Sequence, residues 1–331
     1  MPIAALDQQF RFETPPQQPG SSQQPDPNPP APKDNPLASL VGTWKGTGFN
    51  AIWVPRQPPL GTNDDRFLML NLTVETLTAA DIPGIIPNRG FKQGDIAMTG
   101  LTYMNEIADT EGHGLHIEPG IWAVVPATTD PEVPESVVRM ASIPHGTTII
   151  AQGTAIQLED TPPRIDPVDL IPTKIVGGNK IDFPELDLSQ ASPLRTAPLP
   201  PAIDQTVIDN PNSLLVNALQ GQTVTSMTVL KVSTTDRPVP GGGTANTAFL
   251  EGNPHPGNEN ADATQVEAIF WIEEIAADGD TPAFTQLQYT QTVMLDFAGL
   301  HWPHVTVATL RKVAPDPGPV QPGQPGSGAG Y

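Results

Sequence analysis

Thr285-Gln286-Leu287-Gln288-Tyr289-Thr290-Gln291-Thr292-Val293-Met294-Leu295-Asp296-Phe297 is the stretch whose reading decides the fold of this chain. Leu287, Tyr289, Val293, Leu295 and Phe297 fall on one parity, and Gln286, Gln288, Thr290, Thr292 and Asp296 on the other. Side chains of a β-strand point alternately to opposite faces, so the segment predicts a strand with one dry face and one wet face. The same grammar, β-branched and aromatic residues bounded by Gly, Pro, Asn and Asp, recurs along the chain. It marks ten segments, at about 40–50, 66–77, 94–108, 114–126, 136–143, 147–158, 222–235, 264–276, 284–297 and 304–313. Two of them, around 117–125 and 268–275, are apolar on both parities. Long antiparallel strands that twist must stack as two sheets or close on themselves, and closure removes the exposed edges. The expected fold class is all-β, a ten-stranded antiparallel meander barrel of calycin-like type, with a two-sheet sandwich as the alternative.

The regions between and around the strands define the domains. Residues 1–36 are rich in Pro and Gln and residues 315–331 in Pro and Gly, and both are expected to be disordered. Residues 37–314 form a single barrel domain interrupted by a Pro-punctuated insertion at 159–211. That insertion is expected to pack on the outside of the barrel, the functional alternative being a lid over its mouth. One short helix is expected at 212–219, with Asn210 and Pro211 as start signals and Gly221 as a stop.

Composition excludes several classes. The chain has 331 residues with 16 Lys plus Arg against 36 Asp plus Glu, a net charge of −20 that argues against nucleic acid and anionic membrane as partners. It contains no cysteine, which removes disulfides, thiolate metal sites and a cysteine nucleophile. The first residues lack a signal-peptide pattern and no run approaches the length of a membrane span, so the expectation is a soluble, cytoplasmic protein without membrane insertion. No nucleophile elbow, phosphate-binding glycine loop or dinucleotide fingerprint appears.

Six histidines remain as carriers of chemistry: His113, His116, His145, His255, His301 and His304. The pairs His113/His116 and His301/His304 are spaced i, i+3, which on a strand puts the two rings on opposite faces. At most one ring of each pair can then enter a cavity, which argues against a non-haem metal site. The polar turn running from His255 to Asp262 lacks the spacing of a calcium loop and reads as solvated. His304 opens the last strand after Pro303 and shares its parity with the small residues Thr306 and Ala308, leaving room in front of its ring for a flat ligand.

Three motifs carry a family resemblance. Gly42-Thr43-Trp44-Lys45-Gly46-Thr47-Gly48 resembles the GTWxGxG first strand of the nitrobindin-type haem-binding β-barrel family, within the wider lipocalin and fatty-acid-binding-protein group. Leu115-His116-Ile117-Glu118-Pro119-Gly120-Ile121-Trp122 is similar to that family's LHxExGxW/Y strand, and Pro303-His304-Val305…Ala308…Leu310-Arg311 to its final histidine strand. The resemblance implies a ten-stranded barrel holding haem b through one axial histidine, which carries over to His304 as ligand of the haem iron. It further implies a ferric haem exposed to small ligands such as nitric oxide or peroxynitrite, with peroxynitrite isomerase-like or weak peroxidase chemistry if the protein is an enzyme. A peroxidase needs a distal acid–base group, for which His116 and His145 are the candidates. Trp44 and Arg311 are expected to close the narrow end by a cation–π contact. The competing readings are a haem-free, lipocalin-like carrier of a small apolar metabolite and a barrel filled by its own side chains.

Overall fold

A computed structural model describes residues 35–57, 62, 64–235, 239–253 and 259–314 of the chain. The two terminal segments expected to be disordered, up to residue 34 and from 315, and His255 of the polar turn lie outside the described residues. Ten long strands make the barrel: β1 Gly42–Pro55, β2 Arg66–Asp81, β3 Ile96–Asp109, β4 Gly114–Val125, β5 Ser136–Ile143, β6 Thr147–Glu159, β7 Val224–Ser233, β8 Asp262–Ile275, β9 Phe284–Phe297 and β10 Leu300–Val313. Each pairs antiparallel with the next, and β1 pairs with β10 from Thr43–Val313 to Ala51–Val305, so the meander closes and the sandwich alternative is excluded. Every expected strand is present. The last begins four residues earlier than expected, at Leu300, after a turn in which Ala298 and Gly299 both have positive φ. Pro303 is tolerated within it because the ladder to β1 stops at Ala51 opposite Val305.

The closed end is built from the first motif. Trp44 is fully buried and donates to the Leu40 carbonyl at 2.8 Å, with Leu37 and Leu40 packed against the same core. The motif's glycines bring β1 close to β10: a Cβ on Gly46 would lie 2.1 Å from the Thr309 carbonyl oxygen, and one on Gly48 2.3 Å from that of Val307. The expected Trp44–Arg311 contact does not form. Trp44 stands opposite Lys312 in the ladder, which places Arg311 on the other face. Lys312 Nζ therefore sits 5.1 Å from the Trp44 ring, and Arg311 lies 3.9 Å over the ring of Phe284.

The insertion forms a second core on the outside of the barrel. Leu170, Ile203, Val207 and Ile208 of the insertion, with Leu215 of the short helix that follows it, pack against outward-facing Trp53, Leu68, Trp271 and Val305. Trp302 stacks on Phe297 with centroids 4.7 Å apart and meets Phe183 of the insertion at 5.2 Å. The insertion also covers strand edges where ladders run out: Leu68 N donates to the Leu194 carbonyl at 2.8 Å, and Thr173–Lys174 pairs with His301 and Leu300. A short strand, Gly243–Asn246, covers the edge of β6 in the same way.

This outer layer corrects the wet-face expectation for β9. Gln286, Gln288, Thr290 and Asp296 are all buried, with Gln288 donating to the Leu215 carbonyl at 3.0 Å and Thr290 to Asn212 Oδ1 at 2.6 Å. Phe297, assigned by parity to the inner face, joins the outer cluster at the strand end. The single expected helix is α2 Ser213–Ala218, preceded by α1 Gln205–Asp209 and followed by α3 Ala248–Glu251. Among the described residues no helix is long and apolar enough to cross a membrane.

Candidate ligand-binding site

The inner core fills only the closed half of the barrel, with Trp44, Leu77, Leu101, Leu287 and Leu310 among its members. Toward the other end it opens into a hollow of about 330 Å³, within the range of small-ligand sites. Ile52 and Val54 of β1, Met69 of β2, Leu115 of β4 and Leu295 of β9 supply apolar wall. None of the lining residues comes from the insertion, so the lid reading is overturned; Leu250 of α3 and Ala261, in the segment between β7 and β8, reach the mouth instead.

Three of the five described histidines line this hollow: His304, His116 and His145. Their partners by spacing do not, as strand geometry requires. His301 bonds through Nδ1 to Asp296 Oδ1 at 2.5 Å, and exposed His113 bonds to Asp109 Oδ2 at 3.0 Å. His304 is half-buried in the wall of the hollow beside Thr306, and desolvation, reinforced by His116 and His145, drives its pKa down to about 3. The ring is neutral at every physiological pH. His116 on β4 and His145 in the turn between β5 and β6 face each other with ring centroids 5.5 Å apart. Burial and the neighbouring His116 lower the pKa of His145, against a hydrogen bond to the Leu115 backbone.

Below the rings the floor is polar, unlike the apolar distal side that suits an open haem position. His116 Nε2 lies 3.3 Å from Glu118 Oε2, while Arg139 and the Tyr103 hydroxyl both donate to Glu118 Oε1. Burial opposes the Glu118 carboxylate, yet Arg139 with the hydrogen bonds from His116 and Tyr103 brings its pKa down to about 2. Arg139 also donates to Gln291 at 2.6 Å and lies 5.2 Å over the ring of Phe270, so its charge is paired and each of its three nitrogens donates a hydrogen bond. A second carboxylate, Glu75, is held among the described residues by hydroxyl groups rather than by a cation. It accepts from Thr73 at 2.8 Å and Tyr289 at 2.5 Å, and burial raises its pKa to about 7.

Reasoning from sequence missed this acid–base floor. Glu118 sits inside the second motif and was legible there, but Glu75, Tyr103 and Arg139 come from three other strands with no shared local signal. Among the described residues no group of three or more His, Asp or Glu side chains is arranged to hold a bare metal ion. A neutral imidazole projecting into an apolar-walled hollow is, by contrast, the donor a haem iron takes, and His304 with small Thr306 and Ala308 on its face fits that role. Comparison with family models, with curated proteins and with solved structures finds no match to this chain.

Proposed function

We propose that this chain is a haem-binding β-barrel protein in which His304 is the axial ligand of a ferric haem b seated at the open end of the barrel. The observation that carries the reading is the His304 ring lining a hollow with apolar walls. Bound there, the iron would supply a coordination position for a small ligand such as nitric oxide or peroxynitrite. His304 would hold the group, and Ile52, Val54, Met69, Leu115 and Leu295, which line the hollow, would exclude water from it. His116, backed by the Glu118 carboxylate, and His145 would hold or pass a proton there as a distal acid–base pair, a role supported by their contact with each other and with Glu118. The test is a hemin titration followed by absorption. A Soret band of one-to-one stoichiometry is expected in the wild type and should be greatly weakened in His304→Ala; an identical spectrum in that variant removes the assignment.

One observation favours a second reading, a haem-free carrier of a small apolar metabolite. Asn50 already hydrogen-bonds His304 Nε2 at 2.6 Å, so the ring is satisfied without a metal. Displacement of a fluorescent fatty acid with no hemin-induced band would select this reading.

A further inference from the structure

Asn50 places its amide nitrogen 2.6 Å from His304 Nε2 and 2.9 Å from Thr306 Oγ1. An amide nitrogen only donates, so its two hydrogens serve both atoms and Nε2 is the unprotonated nitrogen of the ring. The lone pair that a metal would take is thus engaged by an amide hydrogen. Register makes the contact inevitable: Asn50 pairs with Thr306 across the β1–β10 ladder, and His304 follows two residues along on the same face. Asn71 stands opposite Asn50 on β2, lines the same hollow, and has a buried Nδ2 with no partner among the described residues.

We propose that Asn50 is a lock on His304: its amide competes with an incoming ligand for Nε2, and axial ligation proceeds only as that hydrogen bond is given up. This rests on the haem reading of the site. A ligand that takes Nε2 then faces two side-chain amide donors, Asn50 and Asn71, which suits a group carrying acceptor oxygens as well as a metal centre. Asn50 is on this account a specificity-determining residue, which lowers affinity for any ligand too weak to displace it.

The test titrates hemin into the wild type, Asn50→Val, Asn50→Ala, His304→Ala and the Asn50→Val/His304→Ala double variant. Alongside it, the ring nitrogens of His304 are read by long-range proton–nitrogen correlation in the ligand-free protein. Valine keeps a strand-compatible shape at position 50, and Asn50→Ala guards against misfolding of that variant. Loss of one neutral hydrogen bond should tighten hemin binding by about three- to tenfold without moving the Soret maximum, and the gain should vanish in the double variant. The ligand-free wild type should show the Nδ1–H form, with the Nε2 resonance shifting in Asn50→Val. Equal or weaker hemin binding in both Asn50 variants, with His304→Ala still abolishing the band, overturns the lock and leaves the haem reading standing. If no variant takes hemin, the haem reading falls, and the nitrogen spectrum alone decides the lock: an Nε2–H ring refutes it.

Discussion

Two carboxylates buried in this protein, Glu75 inside the barrel and Glu273 beneath the outer layer, are held up to about 7 chiefly by burial. A raised carboxyl binds its proton more tightly when folded, so its contribution to stability is complete below the unfolded value and is lost as pH rises toward 7. His304 acts with the opposite sign. Its folded value of about 3 lies below the ordinary imidazole value, so it costs stability as pH falls through that window. The wild-type profile is therefore a sum of opposed slopes, and variants must separate them. Glu75→Gln and Glu273→Gln should each remove one proton's worth of the decline between about pH 5 and 7, on the order of 2–3 kcal/mol, in denaturant titrations at several pH values. A slope unchanged in both variants would show that these side chains titrate normally in the fold. Glu118 belongs to a lower window: its value near 2 adds stability that is lost only as pH falls below the ordinary carboxylate range.

At the scale of elements, the first strand shows what a motif is for. The two glycines following Trp44 let β1 lie against β10 where any Cβ would strike a backbone oxygen, and a backbone cannot yield as a flexible side chain can. Gly46→Ala should destabilise the barrel by about 1–3 kcal/mol or more, read as a lowered denaturation midpoint, even though alanine is the smallest possible addition. A neutral result would mean that the β1–β10 seam has slack. The helices were less legible. Asn212 holds the N-cap position of α2 close to the expected start but makes no capping bond, its side chain being engaged by Thr290 and the Asp166 carbonyl; α1 is only five residues long, too short for a periodic signal, although Asp204 accepts from Val207 N at 3.1 Å as an N-cap should. The tell-tale acid before Val207 and Ile208 was there to be read.

For the molecule as a whole, the insertion is a structural layer: it buries the outward faces of β1, β8, β9 and β10 and covers the edges that barrel shear leaves unpaired. Leu295 packs against both cores, so inner and outer layers should unfold together. Leu215→Ala, which empties a site 1% exposed, should cost about 2–5 kcal/mol. Hydrogen exchange should then show amides of 165–219 and of the inner strands losing protection at the same, lower denaturant concentration; separate transitions would make the insertion an independent unit. The sequence by itself determined the ten long strands and that the two rings of each i, i+3 histidine pair part to opposite faces, because alternation is local and a two-residue period ties each side chain to a face; closure into a barrel rather than a sandwich came from the β1–β10 pairing. Only the tertiary structure decided that the polar face of β9 is dry, that Lys312 rather than Arg311 meets Trp44, and that Asn50 engages a ring 254 residues away. Those outcomes depend on ladder register and on what packs outside the sheet, and neither is encoded in the periodicity of any single strand.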